Sequence, residues 1–161
     1  MGLQFDGSET VSLYFAYGSN LSPRALVTRC PGGRMVGAAQ LAGRRLGFTR
    51  VSRAWGGGVA DLISDPRSSV WGALFELSED DLERLDAYEG APSAYSRERV
   101  TVIRPDGRAE KAWCYFVARK EPETLPSFRY WKAVVDGARE VGLPSEYVAQ
   151  LESLPHAWTD D

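Results

Sequence analysis

The chain has 161 residues, 43% of them hydrophobic and 25% charged, with a formal net charge of -3. That length suits one domain with a sizeable core, and the composition is that of an ordinary globular protein. An acidic balance of this size lacks the basic face of a nucleic-acid binder, so no nucleic acid is expected as a partner.

No signal peptide and no long apolar run is legible, so a cytoplasmic protein with no membrane partner is expected. The opening "MGLQFD" matches a myristoylation signal only in its glycine, because Asp6 stands where Ser or Thr is needed. Residues 1–10 and 156–161 are expected to be flexible tails of a single domain.

The first element in chain order is a strand over residues 11–18. Leu13, Phe15 and Tyr17 fall on one face and Tyr14 and Ala16 on the other. Both faces are apolar, as in a strand covered on both sides. The bare turn "YGSNLSP" follows, then a short helix "SPRALVTRC" with Ser22 as N-cap and Pro23 at its first position. Cys30 and Cys114 form no CxxC, and two reduced, half-buried thiols are expected.

From "RMVGAAQLAG" to "VWGALFEL" the chain is rich in glycine, with short β runs at "RRLGFTRVS", "GVADLI" and "SVWGALFEL". Glycines inside strand patterns suggest the bends of a small curved or closed barrel. "WGGGV" lacks both a Walker lysine and GxGxxG spacing, and is expected to be a flexible loop rather than a phosphate cradle. "SEDDLERLDAYEG" is the clearest helix, with Ser78 as cap, Asp81 at capping-box spacing and Gly90 at its end. A hairpin, "YSRERVTVIR" and "AEKAWCYFVA", turns at "PDG", and "KEPETLPS" is a polar connector. Two helices close the chain, "YWKAVVDGAREVG" and "SEYVAQLESL". The class is α+β.

The one histidine, His156, sits in the polar tail. The body of the fold therefore lacks the residues for a Ser-His-Asp triad, a histidine-rich metal site or HExxH. Proton transfer in a cofactor-free enzyme would fall to carboxylates, tyrosines or Lys111, Lys120 and Lys132. The Gly18–Ser22 turn could cradle a carboxylate or phosphate on free backbone N–H groups. From the motif alone, a plain Asx-type turn capping the helix at Ser22 is the simpler account.

Glu89 falls at i+7 from Leu82 and i+4 from Leu85, on the apolar stripe of its helix, and in the last turn where the dipole opposes negative charge. Burial and dipole both raise its pKa, which suits a general base. A frayed helix end with a solvated carboxylate fits the same residues. Tyr95 could orient a buried Glu or bind substrate, while Arg97 and Arg99 read more simply as one face of a strand.

"YFAYGSNL", "LDAYEG" followed by "YSRERVTV", and "YWKAVVDGAREVGLPSEYVAQL" together resemble, in order, three motifs of the γ-glutamylcyclotransferases. The resemblance implies a small closed β-barrel of mixed strands with short flanking helices and a site at the barrel mouth. It implies Glu89 as general acid/base, with Tyr17, Gly18, Ser19, Asn20, Leu21, Ser22, Tyr95 and Tyr130 binding substrate. It also implies no metal and no cofactor, a small-molecule γ-glutamyl substrate, and a homodimer as one assembly state. The activity expected is cyclisation of a γ-glutamyl group to 5-oxoproline with release of an amine or amino acid. Two alternatives stay open: a γ-glutamylamine or γ-glutamylated natural product as substrate, and a non-catalytic carboxylate-binding module on the same fold.

Overall fold

A computed structural model describes residues 10–158. Five strands close into a barrel, and four α-helices and a single 3-10 turn decorate it among those residues. The strands are β1 (Val11–Ala16), β2 (Arg34–Ser52), β3 (Gly57–Ser78), β4 (Tyr95–Ile103) and β5 (Ala109–Val117). The helices are α1 (Pro23–Arg29), α2 (Glu79–Glu89), α3 (Phe128–Val141) and α4 (Ser145–Glu152), with the 3-10 turn at Ser19–Leu21.

Around the barrel the order is β1–β3–β2–β4–β5, and β5 closes it by pairing parallel to β1 at Tyr14 and Trp113. The other neighbours run antiparallel; β2–β3 and β4–β5 are hairpins joined by short turns, and β1–β3 and β2–β4 pair across longer connections. Tyr14, Phe15 and Ala16 of β1 are all buried, so this strand is covered on both faces as its pattern predicts. It stops at Ala16, two residues short of the expected end. Tyr17 therefore leaves the alternation and turns into the same pocket as Tyr14.

The glycine-rich middle is two long strands rather than several short ones. β2 and β3 pair from Arg34↔Glu76 to Ser52↔Gly57, interrupted by register shifts at Met35/Gly37, Ala42/Arg44 and Phe48/Arg50. Each shift adds twist, which lets one long ribbon wrap far enough to close a small barrel. "WGGGV" is not a free loop. Trp55 packs edge-on against the Tyr130 ring at 5.0 Å, and the Gly58 N–H donates to the Leu125 carbonyl at 3.0 Å. The polar connector thereby straps the barrel edge, with Thr124 N–H on Phe48 O at 3.0 Å and Glu121 N–H on Thr49 O at 2.7 Å.

Ser22 and Ser78 cap α1 and α2 through the N–H groups of Ala25 and Asp81. The capping box at α2 is one-sided, because the Asp81 carboxylate accepts instead from Gly32 N and Arg84. Both cysteines are free and fully buried, deeper than expected. Residues 156–158 pack against the fold, with the His156 ring stacked on Trp131 at 4.0 Å and Trp158 on Phe128 at 5.7 Å. Of the expected tails, 1–10 and 156–161, the stretches 1–9 (with Asp6) and 159–161 lie outside the described residues. No helix among the described residues is long and apolar enough to cross a membrane.

Candidate active site

Three segments meet at the barrel mouth. β1 ends there and delivers the turn at Gly18. The helix α2 ends there because Gly90 takes the left-handed conformation (φ 71°) that glycine adopts at little cost. The helix α3 packs across the turn, and this works only because residue 137 is glycine. A Cβ at Gly137 would lie 2.9 Å from both the Leu21 Cβ and the Ser22 N.

Between these segments lies a pocket of about 280 Å³ lined by Tyr17, Gly18, Ser19, Asn20, Glu89, Tyr95 and Tyr130 among others. Two residues expected in it are elsewhere. Leu21 is fully buried beneath the turn, and Ser22 caps α1 and donates to Glu140 Oε1 at 2.9 Å. Their side chains build the turn rather than line the pocket. Arg97 and Arg99 are also outside it, their guanidinium groups stacked on the Trp113 ring.

Glu89 is held by the turn. Asn20 Nδ2 donates to Glu89 Oε2 at 2.9 Å and to the Tyr14 hydroxyl at 2.8 Å. Burial pushes the Glu89 carboxyl up to about 7, against the opposing pull of the Asn20 hydrogen bond and the Arg29 cation; Asp86 adds a smaller push upward. The stripe through Leu82 and Leu85, both buried, thus continues to Glu89 as the helical spacing predicts.

The pocket wall is built of tyrosines whose hydroxyls differ in what they have left to give. Tyr17 donates to the Tyr115 carbonyl at 2.6 Å, Tyr115 donates to Asp86 Oδ1 at 2.5 Å, and Tyr95 donates to the Ala60 carbonyl at 2.9 Å. Those three protons are committed. Tyr130 instead accepts from the Ala60 N–H at 3.0 Å, and Tyr14 accepts from Asn20. A hydroxyl carries one donor beside its acceptor pairs, so Tyr130 and Tyr14 each keep a proton for a ligand.

Sequence reasoning missed Tyr14, Arg29, Arg50, Tyr115 and the Ala60 backbone. Tyr14 was hidden because strict alternation puts it opposite Tyr17. Arg50 lines the pocket on β2 and makes no hydrogen bond or ion pair among the described residues. One signal was readable, a carboxylate inside the apolar run "GVADLI". Asp61 is fully buried and accepts from Thr49 Oγ1 (2.7 Å), Val117 N (2.9 Å) and Lys120 Nζ (2.6 Å), pinning β3 beside Ala60.

The fold and this site define a class, a closed-barrel domain with a pocket at its mouth and a carboxylate of raised pKa in it. Residues 69–151 match the model of the AIG2-like family. The chain is 35% identical over 147 residues to a gamma-glutamylcyclotransferase of Bos taurus, covering 88% of this chain and 78% of the relative. It is 33% identical to the Homo sapiens gamma-glutamylcyclotransferase, covering 91% and 81%. A solved structure of a gamma-glutamyl cyclotransferase superposes with a TM-score of 0.88 at 31% identity, covering 92% of this chain and 90% of that one. The chain belongs to the γ-glutamylcyclotransferase family.

Proposed function

We propose that this protein is an enzyme that converts the γ-glutamyl group of a small molecule to 5-oxoproline and releases an amine, with Glu89 as general acid/base. The observation that carries the reading is the Asn20–Glu89 hydrogen bond, which fixes a carboxylate with a pKa of about 7 against the turn. A base of that strength is ionised in a useful fraction near neutral pH and still gives the proton back readily.

The substrate enters with its α-amine as an ammonium. Glu89 takes one proton from it, and the freed nitrogen attacks the γ-carbonyl carbon of the same molecule. The new C–N bond closes the five-membered ring, and the carbonyl π pair moves onto oxygen. When that pair returns, the proton held by Glu89 passes to the leaving nitrogen as its bond breaks. The carboxylate so regenerated takes the second proton from the ring nitrogen, leaving a neutral lactam. That proton goes to the released amine, which departs as an ammonium. Both partners sit in one molecule, and such reactions reach effective molarities of roughly 10⁵–10⁸ M when well oriented. The pocket's task is to fold the γ-glutamyl chain and to carry two protons in turn from the ring nitrogen to the leaving one. The free Tyr130 proton and the N–H groups of the Gly18 turn suit the substrate's carboxylate or the developing oxyanion.

The leaving amine is read as an amino acid or peptide. The Arg50 guanidinium, without a partner among the described residues, offers a carboxylate-bearing leaving group an ion pair and repels a polyamine. One chain supplies every residue that lines the pocket, so a homodimer would carry one such site per chain.

The test is 5-oxoproline release from γ-glutamyl compounds bearing amino-acid, dipeptide or polyamine leaving groups. Glu89→Gln should bind substrate and abolish release, because the isostere keeps the shape and loses the base. Near-normal turnover by that variant overturns the assignment, and binding without turnover by the wild type favours the carboxylate-binding module.

A further inference from the structure

Arg29 ends α1, where the helix dipole favours a cation, and its guanidinium is spent on the turn rather than on a carboxylate. It donates to the Asn20 Oδ1 and reaches Ser19 Oγ at 3.5 Å, while its Cζ sits 4.0 Å from the centre of the Tyr88 ring. It forms no ion pair among the described residues. Tyr88 precedes Glu89 on α2, so one cation ties the turn to the end of the catalytic helix.

A side-chain amide can be turned over at small steric cost, and its two ends then exchange donor for acceptor. Asn20 shows its NH₂ to Glu89 and Tyr14 and its oxygen to Arg29. Turned over, it would press its oxygen against the Glu89 carboxylate and its NH₂ against a guanidinium that has no acceptor. Both contacts repel. The first would be relieved only by protonating Glu89, which is the form that cannot take a proton from the substrate.

We propose that Arg29 is a positioning residue that locks the Asn20 amide with its NH₂ toward Glu89, so that the turn supports Glu89 as a carboxylate. The proposal rests on the acid/base role given to Glu89 above. Arg29 is the cation facing that carboxylate. The other titratable groups around it are Asp86 on its own helix and the hydroxyls of Tyr14 (β1), Tyr17 (the turn after β1), Tyr95 (β4), Tyr115 (β5) and Tyr130 (α3). Arg50 lines the same pocket from β2 but makes no hydrogen bond or ion pair with Glu89, so the Asn20 amide and the Arg29 cation together are what favour its ionisation.

The experiment compares Arg29→Met and Arg29→Lys with the wild type. The midpoint of the acid limb of kcat/KM against pH is measured, together with the Glu89 carboxyl titration followed by carbon NMR in substrate-free protein. The Met variant should move both midpoints up by about one unit, with kcat/KM recovering toward wild type at high pH. The Lys variant, which keeps a charged donor, should return most of the shift. In an Asn20→Ala background the Met substitution should shift the midpoint less, since the amide it locks is gone. Unmoved midpoints with activity lowered equally at all pH values would overturn the proposal, as would an undiminished shift without Asn20. Arg29→Gln serves if circular dichroism shows the Met variant unfolded. The NMR titration needs no turnover, so it reads the lock even if no 5-oxoproline is released.

Discussion

Tyr95 and Tyr130 grip Ala60 with opposite polarity, the first donating to its carbonyl at 2.9 Å and the second accepting its N–H at 3.0 Å. One residue of β3 thereby ties β4 and α3 to the wall of the pocket. The same arrangement spends the Tyr95 proton on the frame and leaves the Tyr130 proton available to a ligand.

The two hydroxyls should respond differently to removal. Each Phe variant leaves one buried backbone group of Ala60 unpaired, at a cost of about 1–3 kcal/mol in stability. Tyr95→Phe should keep kcat/KM within a few-fold of wild type. Tyr130→Phe should lose a similar amount of stability and also raise KM, about tenfold for one lost hydrogen bond to a charged group. Urea denaturation and initial-rate kinetics on the two variants check this. Equal KM values would remove Tyr130 from the binding surface.

Glu89 should make the protein less stable at neutral pH than it would be with an isostere. Its carboxyl is raised by burial from 4.5 to about 7, so the native state holds the proton that the unfolded chain has already lost between those values. Native stability contributed by the protonated group is complete below about 4.5 and is lost as pH rises through about 7. A permanently neutral Gln pays no such penalty. Glu89→Gln is therefore expected to be more stable than wild type by up to about 3 kcal/mol at pH 8, with no difference near pH 4. Urea midpoints at the two pH values test the sign. Activity should follow the opposite course, with wild-type kcat/KM rising as pH rises through about 7.

The site was legible in the sequence where local rules act alone. Ser22 and Pro23 announce where α1 begins, Ser78 and Gly90 where α2 begins and ends, and the spacing from Leu82 and Leu85 places Glu89 toward the core. What stayed hidden depends on distant segments. Tyr14 shares the pocket only because β1 ends at Ala16, and Asn20 reaches Glu89 across 69 positions of chain. The long ribbon of β2 and β3 was concealed by its own bulges, which break the period-2 pattern that marks a strand. Leu21 and Ser22 illustrate the converse. Their place in the motif is real, but burial and capping, not contact with the pocket, are what the fold asks of them.

Arg50 should discriminate between leaving groups rather than act on the ring closure itself. Arg50→Ala removes from the pocket wall a cation that has no partner among the described residues. For substrates that release an amino acid, kcat/KM should fall about tenfold, the value of one charge-assisted contact in a partly solvated site. For a neutral alkylamine leaving group it should hardly change. A loss of the same size for both would instead assign Arg50 to the α-carboxylate of the γ-glutamyl group.

Gly137 sets the distance between α3 and the turn. In an exposed helix Gly→Ala stabilises by about 1 kcal/mol, because alanine loses less backbone entropy on folding. Here the added methyl would sit 2.9 Å from the Leu21 Cβ and from the Ser22 backbone nitrogen, and the first of these belongs to a fully buried residue. Neither neighbour can rotate away, so the helix must shift, and overpacking of this kind costs about 1–3 kcal/mol. The two effects oppose each other, and the clash with fixed atoms is the larger. Gly137→Ala is expected to lower Tm by a few degrees and to reduce kcat/KM more than stability alone explains, since α3 carries Tyr130 and the turn carries Asn20. Thermal melts and kinetics check it together. A raised Tm with unchanged kinetics would mean that α3 and the turn can separate without disturbing the pocket.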